Sequence, residues 1–323
     1  MDQNAIFAVV ADDFAAVNRT ILAQLESRVP LVEKIADYII SSGGKRLRPL
    51  LTLLSSGISG GAIDQRHHKL ATVIEFLHTA TLLHDDVVDT SDMRRGKPTA
   101  NANWGNAPSV LVGDFLYARA FELLVEIGEM SVMNRLAIAT RTLAEGEVMQ
   151  LMNVRNPNVS EAQYMDVIKG KTAILFQAAS ETAALLSGLS ADECDRLATY
   201  GLKLGLAFQL IDDVLDYDGD AAKLGKNIGD DLAEGKPTLP LIRAMQTAPE
   251  ADAQLIRRAI RKGGLDDMGA ILDIVHSCGA IDYVKTQARQ QVEQALAQLD
   301  GFADSPYKTA LASLAELAVA RDN

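Results

Sequence analysis

Proline spacing constrains this chain more than any other single feature. Nine prolines occur in 323 residues, and none falls within 50–97, 109–156, 158–236 or 250–305. Uninterrupted stretches of that length, rich in Ala, Leu, Glu and Met, favour helix over strand. The Val-Ile-Thr alternation that marks strands is scarce. Helix starts are legible too. Ser160 with Gln163 and Ser190 with Glu193 spell capping boxes, and Ser305-Pro306 reads as an N-cap followed by proline at the first helical position. No linker or low-complexity segment interrupts the pattern. The expectation is one all-α domain over residues 1–323, a single helical bundle, although the length alone would also allow two domains.

Charge narrows the partners. The chain carries 31 Lys+Arg against 43 Asp+Glu, a formal net charge of −12. That balance argues against a nucleic-acid partner, which needs a basic face to displace counterions from phosphates. Hydrophobic residues at 48% and charged ones at 23% are globular proportions. No run approaches the roughly 20 apolar residues that span a bilayer. The start, Met1-Asp2-Gln3-Asn4-Ala5-Ile6-Phe7, has neither the basic n-region of a signal peptide nor the Arg/Ser bias of a transit peptide. Cys194 and Cys278 sit in apolar helical patterns without a CxxC, as core thiols in a reducing compartment would. A soluble, cytoplasmic location is expected.

Two segments share one pattern, His84-Asp85-Asp86-Val87-Val88-Asp89 and Ile211-Asp212-Asp213-Val214-Leu215-Asp216, each reading DDxxD. Their separation is far too long for a solenoid repeat, which leaves two similar sites on two helices. Positions i and i+4 are neighbours on a helix face, so Asp85 lies beside Asp89 and Asp212 beside Asp216. The apolar flanks Leu82-Leu83, Val87-Val88, Leu210-Ile211 and Val214-Leu215 predict packed helices. Half-buried carboxylates without partners are expensive, so a cation is expected. Mg²⁺ suits the site, since it takes hard oxygen ligands and is typically held by one or two carboxylates plus substrate phosphates. A solvated acidic face is the blander reading of either motif alone; two motifs in apolar context, each followed by basic residues, favour metal. Zinc-type Cys and His spacings are absent.

Basic groups stand close by. Gly43-Gly44-Lys45-Arg46-Leu47-Arg48-Pro49 combines a flexible glycine pair with a proline that disfavours helix at Arg48 and suits the first turn of the next helix. Asp92-Met93-Arg94-Arg95-Gly96-Lys97-Pro98 follows the first DDxxD directly. Lys223-Leu224-Gly225-Lys226-Asn227 and Gly235-Lys236-Pro237-Thr238 straddle Asp230-Asp231 after the second. An aspartate motif followed by a Gly/Lys/Arg loop suits a diphosphate, bridged by Mg²⁺ on one side and gripped by guanidinium and ammonium on the other. No Walker A, nucleophile elbow or catalytic Cys-His signature is present. The phosphate handled here is not expected to be a nucleotide's.

Together these segments resemble the trans-isoprenyl (polyprenyl) diphosphate synthases, most closely the bacterial octaprenyl-forming branch. The resemblance runs through GGKRLRP at 43–49, EFLHTATLLHDDVVDTSDMRRGKP at 75–98, GDFLYARAF at 113–121, KTA at 171–173, FQLIDDVLDY at 208–217 and GKNIGDDLAEGKPTLPLI at 225–242. It implies an all-α isoprenoid-synthase bundle around a deep central cavity, and a homodimer. By matching position it implies that Lys45, Arg48 and His78, helped by Arg95, bind isopentenyl diphosphate, and that Arg94, Lys226 and Lys236 bind the allylic diphosphate. Asp85 and Asp89 would share two Mg²⁺ ions and Asp212 a third, with Asp216 acting through water. Lys171, Thr172 and Gln209 would line the reacting end. For a lone His on an apolar helix the bland alternative is a satisfied core histidine; His78 lies two turns before Asp85, on the same broad face. The Gly201/Gly205 pair reads as close helix packing.

The chemistry so implied is elongation of an allylic diphosphate, expected to be farnesyl diphosphate, by isopentenyl units to octaprenyl diphosphate for a quinone side chain. Nonaprenyl and decaprenyl products are the alternative, and a non-catalytic subunit of a heteromeric synthase is a remoter one. Such subunits lose aspartates, whereas all six are present here. A class I terpene cyclase would share the helices and one DDxxD but not the second motif or the GGKRLRP loop. Ala80 and Thr81, small residues about one turn beneath Asp85, would keep a product tunnel open, unless they merely let helices pack. Membrane contact is expected to be transient at most, because the acidic surface gives it no electrostatic support.

Overall fold

A computed structural model describes residues 1–219 and 229–320. The described residues are almost wholly helical, as expected: α1 Gln3–Ala8, α2 Ala11–Gln24, α3 Pro30–Ser41, α4 Leu47–Gly57, α5 Gln65–Val88, α6 Ala100–Trp104, α7 Asn106–Ile127, α8 Met130–Asn153, α9 Glu161–Ile168, α10 Ile174–Leu186 and α11 Ala191–Asp218. Between α9 and α10 the residues Lys169–Ala173 form a π-turn. Helices Asp230–Ala233, Leu239–Thr247, Glu250–Lys262, Met268–Ser277, Ala280–Leu299 and Pro306–Val319 follow. Among the described residues, no helix is long and apolar enough to cross a membrane.

The start signals act as read. Ser160 and Gln163 form a reciprocal capping box, Ser190 and Glu193 bond in the same way, and the Ser305 hydroxyl accepts from the backbone N–H of Lys308. Two local details differ from the sequence reading. Helix α4 begins at Leu47, so Arg48 is helical; Pro49 falls in the first turn, where a missing N–H has no intrahelical partner to lose. The loop after the first DDxxD contains a hairpin, β1 Met93–Arg94 paired antiparallel with β2 Lys97–Pro98. Its two-residue turn, Arg95-Gly96, has φ of 53° and 72°, the doubly left-handed turn that matches strand twist.

The chain divides into two compact units. The first comprises Met1–Thr140, Leu175–Gly201 and Leu296–Leu314. At its centre α5 is buried nearly all round, with Leu70, Val73, Ile74, Phe76, Leu77, Ala80 and Leu83 fully enclosed against α2, α4 and α7. Each of the larger side chains contributes about 1.5–3 kcal/mol of burial. Gly113 on α7 permits the approach to α5, since a Cβ there would lie 2.3 Å from the His84 ring and 3.2 Å from the Ala80 carbonyl. The second unit comprises Arg141–Ile174, Leu202–Ala295 and Ala315–Asn323. Its core gathers Leu206, Leu210, Ile211, Val214 and Leu215 of α11 with Leu241, Ile256, Ile260, Ile271, Val275 and Val284 of the later helices. Cys194 is buried and Cys278 half-buried, and both are free thiols.

Gly201 does serve close packing. A Cβ on it would stand 2.4 Å from the Phe176 carbonyl oxygen and 2.1 Å from the Ser180 hydroxyl. Gly201→Ala is therefore expected to lower stability by about 1–3 kcal/mol, read as a shift of the urea midpoint. An unchanged midpoint would show that the helices can part without penalty.

Candidate active site

Each DDxxD lies on a helix with a buried face, and its outer aspartates share a stripe of half-exposed positions. On α5 that stripe is His78, Thr81, Asp85 and Asp89; on α11 it is Gln209, Asp212 and Asp216. The middle aspartate of each motif points inward instead, Asp86 at 0% and Asp213 at 3% exposure. The i, i+4 spacing thus divides each motif into two outer carboxylates that face out and one that serves the interior. Asp85 lies in the last turn of α5 with Asp89 as its C-cap, and Asp216 lies in the last turn of α11. Neither last turn holds a basic residue. Carboxylates there meet the negative end of the helix dipole as well as each other, both unfavourable to negative charge.

In the first unit, Asp86 Oδ1 accepts from Arg94 Nε at 2.9 Å and Nη2 at 2.7 Å, while Oδ2 is buried without a hydrogen-bond partner. Arg94, expected at a diphosphate, therefore also compensates a buried charge. The peptide around it is stapled: Ser91 N–H donates to Asp86 O, and Thr99 Oγ1 and Asn101 Nδ2 donate to Ser91 O. Arg46 takes the left-handed region, with φ 44°, and donates to Asn18 Oδ1 and Ile40 O. Arg95 donates to Gly43 O and lies where a Cβ on Gly44 would be. Lys45 is exposed at the head of this loop.

Arg48 stacks over the Phe176 ring at 4.3 Å and lies 3.2 Å from His78 Nε2. A guanidinium only donates, so Nε2 accepts and the ring proton sits on Nδ1. Burial, and then the charges of Arg48, Arg95 and Arg94, hold the His78 pKa well below the usual imidazole value, so the ring is neutral. Behind these groups lies Glu75, 8% exposed, with Oε2 lacking a hydrogen-bond partner. Burial raises its pKa, and Arg46, Arg48 and Arg95 oppose the rise. Burial pushes Arg48 down to about 10, against the pull of Glu75. The sequence reading did not single out Glu75; its only signal is a carboxylate one turn before His78 in an otherwise apolar helix.

In the second unit, Gly146 of α8 meets the π-turn so closely that a Cβ would stand 2.4 Å from Lys171 N. The approach sets Glu147 against Lys171 Nζ at 2.8 Å. π-turns within helical runs recur at functional sites, and this one carries Lys171 and Thr172. Thr172 Oγ1 donates to Gln209 Oε1 at 2.9 Å, so these two expected site residues do meet. Gln209 Nε2 donates to Asp213 Oδ1 at 2.7 Å, and Tyr164 OH donates to Asp213 Oδ2 at 2.5 Å. Burial, and then Asp231, raise the Asp213 pKa. Asp216 Oδ2 accepts from Asp231 N–H, while Lys236 pairs with Glu234. Lys226 lies outside the described residues. Tyr164 was not picked out from sequence, and nothing near it in the chain marks it.

Thr81 is half-buried, its hydroxyl donating to His78 O, whereas Ala80 is sealed against α7. His84, given no role from sequence, packs: Nε2 lies 3.2 Å from Val110 O and 3.3 Å from Asp114, and its ring stacks on Tyr117. Among the described residues, no three His, Cys, Asp or Glu side chains converge to hold an ion by themselves.

The Polyprenyl synthetase family model matches residues 29–275. Octaprenyl diphosphate synthase of Escherichia coli (strain K12) is 48% identical over the full length of both chains. An all-trans-nonaprenyl-diphosphate synthase (geranyl-diphosphate specific) of Rhodobacter capsulatus is 47% identical over 98% of this chain and 97% of its own. A crystal structure of a Caulobacter crescentus polyprenyl synthase, complexed with calcium and isoprenyl diphosphate, superposes with a TM-score of 0.96 over 100% of this chain and 98% of its own, at 45% identity. The chain belongs to the polyprenyl synthetase family of prenyltransferases.

Two outcomes follow from the first-unit geometry. Arg94→Ala strands the Asp86 charge in the interior and should lower stability by about 3–5 kcal/mol in urea unfolding, with Asp86→Asn in the same chain recovering most of the loss. His78 titrates near 6.5 when unfolded and well below that when folded, so below pH 6.5 the unfolded chain binds more protons and stability falls with pH. His78→Gln should flatten the decline between about pH 6.5 and 5. An equal slope in both proteins would contradict the neutral ring.

Proposed function

We propose that the whole chain, 1–323, acts as one long-chain trans-polyprenyl diphosphate synthase domain that extends an allylic diphosphate, farnesyl diphosphate in the first instance, to octaprenyl diphosphate for a quinone side chain. The observation that carries the reading is the pair of outward-facing aspartate stripes on the two DDxxD helices, in a chain with full-length identity to an octaprenyl diphosphate synthase. The family match spans residues of both compact units, which supports a single domain. A nonaprenyl product is the second reading, favoured by the almost equal identity to the Rhodobacter capsulatus enzyme.

The residues fit magnesium. Asp85, Asp89, Asp212 and Asp216 offer hard oxygen donors from half-exposed positions, and with so few protein ligands the remaining oxygens would come from diphosphate and water. About three Mg²⁺ ions, when bound, would neutralise the allylic diphosphate so that it departs with the electron pair of its C–O bond. Lys45, Arg48, Arg95 and neutral His78 would hold isopentenyl diphosphate, Arg48 being aimed by Phe176 and His78. Its double bond then forms the new C–C bond, and loss of a proton to the departed diphosphate restores an allylic product. Lys171, Lys236, Lys226 and Arg94 would steady the allylic diphosphate. Lys171 and Lys236 are held beforehand by Glu147 and Glu234, carboxylates that a diphosphate can replace. Thr172 and the Gln209 carbonyl would stabilise the cation without capturing it, in a site that must exclude water.

Thr81 sits on the open stripe and Ala80 does not, so Thr81 is the better probe of product length. A cytoplasmic homodimer is part of the proposal. Exposed Leu111 and Val125 on α7 support an association face. Incubation with farnesyl diphosphate, labelled isopentenyl diphosphate and Mg²⁺ should give a C40 product that vanishes on chelation. Thr81→Phe should cut the product to about C20 by placing a ring one turn beneath Asp85. A C45 end point would favour the second reading, no elongation would overturn the function, and an unchanged length in Thr81→Phe would overturn the tunnel assignment.

A further inference from the structure

The two buried middle aspartates are satisfied in different ways. Asp86 faces a guanidinium, whereas the two oxygens of Asp213 accept from neutral donors, Tyr164 OH and Gln209 Nε2. Neutral donors on both oxygens hold Asp213 in place, so the arrangement around it points to geometry as its purpose. Both Asp213 oxygens accept, and the one not taken by Tyr164 faces the Gln209 amide nitrogen, which is therefore turned toward it. The amide oxygen must then face the other way, where Thr172 Oγ1 donates to it at 2.9 Å. Tyr164 and Thr172 come from one continuous segment, α9 and the π-turn that follows, so the network is gripped from both sides by a single piece of chain.

We propose that Asp213 and Tyr164 are positioning residues that fix the Gln209 amide in one orientation, nitrogen inward on Asp213 and oxygen toward Thr172. Tyr164 acts by occupying Asp213 Oδ2, which leaves Oδ1 as the acceptor for Gln209. The half-exposed face of Gln209 then offers a carbonyl dipole, whose second lone pair remains for a developing cation; the reversed amide would offer N–H groups that oppose one. The inference rests on the prenyl-transfer reading for its consequence, but not for the geometry.

The test is a kinetic double-mutant cycle on the full chain with Mg²⁺ and both diphosphates. Tyr164→Phe should lower kcat roughly tenfold, the scale of one hydrogen bond, with KM for each diphosphate within about twofold. In a Gln209→Ala background, Tyr164→Phe should change kcat no further. Equal fractional losses in both backgrounds would mark Tyr164 as merely structural and overturn the proposal. Nuclear magnetic resonance supplies a readout free of turnover. One side-chain amide proton of Gln209, assigned by its absence in Gln209→Ala, should lie downfield and return to a free-amide position in Asp213→Leu. An unshifted amide in the parent protein would overturn the proposal. A shifted amide in a protein that elongates nothing would support the positioning and overturn the function.

Discussion

Carboxylates one helical turn apart, near the negative end of a helix dipole and on a helix with a buried face, are an electrostatic liability that each DDxxD segment is arranged to manage. On α5 and again on α11 the answer is a division of labour. The middle residue turns inward and is bonded by the protein, by Arg94 at Asp86 and by Tyr164 and Gln209 at Asp213. The outer residues lie on a half-exposed stripe. Residues beyond each motif bond back to it, Arg94 of the hairpin on Asp86 in one unit and the Gly229 and Asp231 N–H groups on Asp216 in the other. The proposed metal chemistry uses the outer carboxylates.

The cations are prepared in the same spirit. A cluster of Arg46, Arg48 and Arg95 would repel itself without the buried carboxylate of Glu75, and a protonated His78 would add to the repulsion. Keeping that ring neutral lets it accept from Arg48, so the guanidinium is aimed without another positive charge. Lys171 and Lys236 each wait on a glutamate. On the proposed reading, diphosphate binding replaces carboxylate partners with phosphate oxygens, so the substrate does not meet bare, fully solvated ammonium groups.

Much of this was legible in the sequence because it follows from spacing. Helical content came from proline-free stretches, helix starts from Ser-x-x-Gln, Ser-x-x-Glu and Ser-Pro, and the outer aspartates from their i, i+4 period. What escaped was what depends on contacts between distant segments. Glu75 and Tyr164 look like ordinary members of apolar helices until Arg48 and Asp213 are brought to them. The hairpin at Met93–Pro98 was hidden because its turn uses Arg95 at a left-handed φ, a conformation more readily expected of Asn or Gly. Arg48 falls inside α4 because Pro49 is tolerated anywhere in a first turn, so the helix could begin before it.

The central claim is that outer and middle aspartates do different work, and Asp85→Asn measured beside Asp86→Asn tests it most directly. In each variant, kcat with Mg²⁺ and the melting temperature would be read together. The account predicts that Asp85→Asn loses at least a hundredfold in kcat, the scale of losing an electrostatic catalyst, while melting within about 2 °C of the parent. Asp86→Asn should melt several degrees lower. A destabilised Asp85→Asn that keeps its turnover, or an Asp86→Asn that melts like the parent, would contradict it.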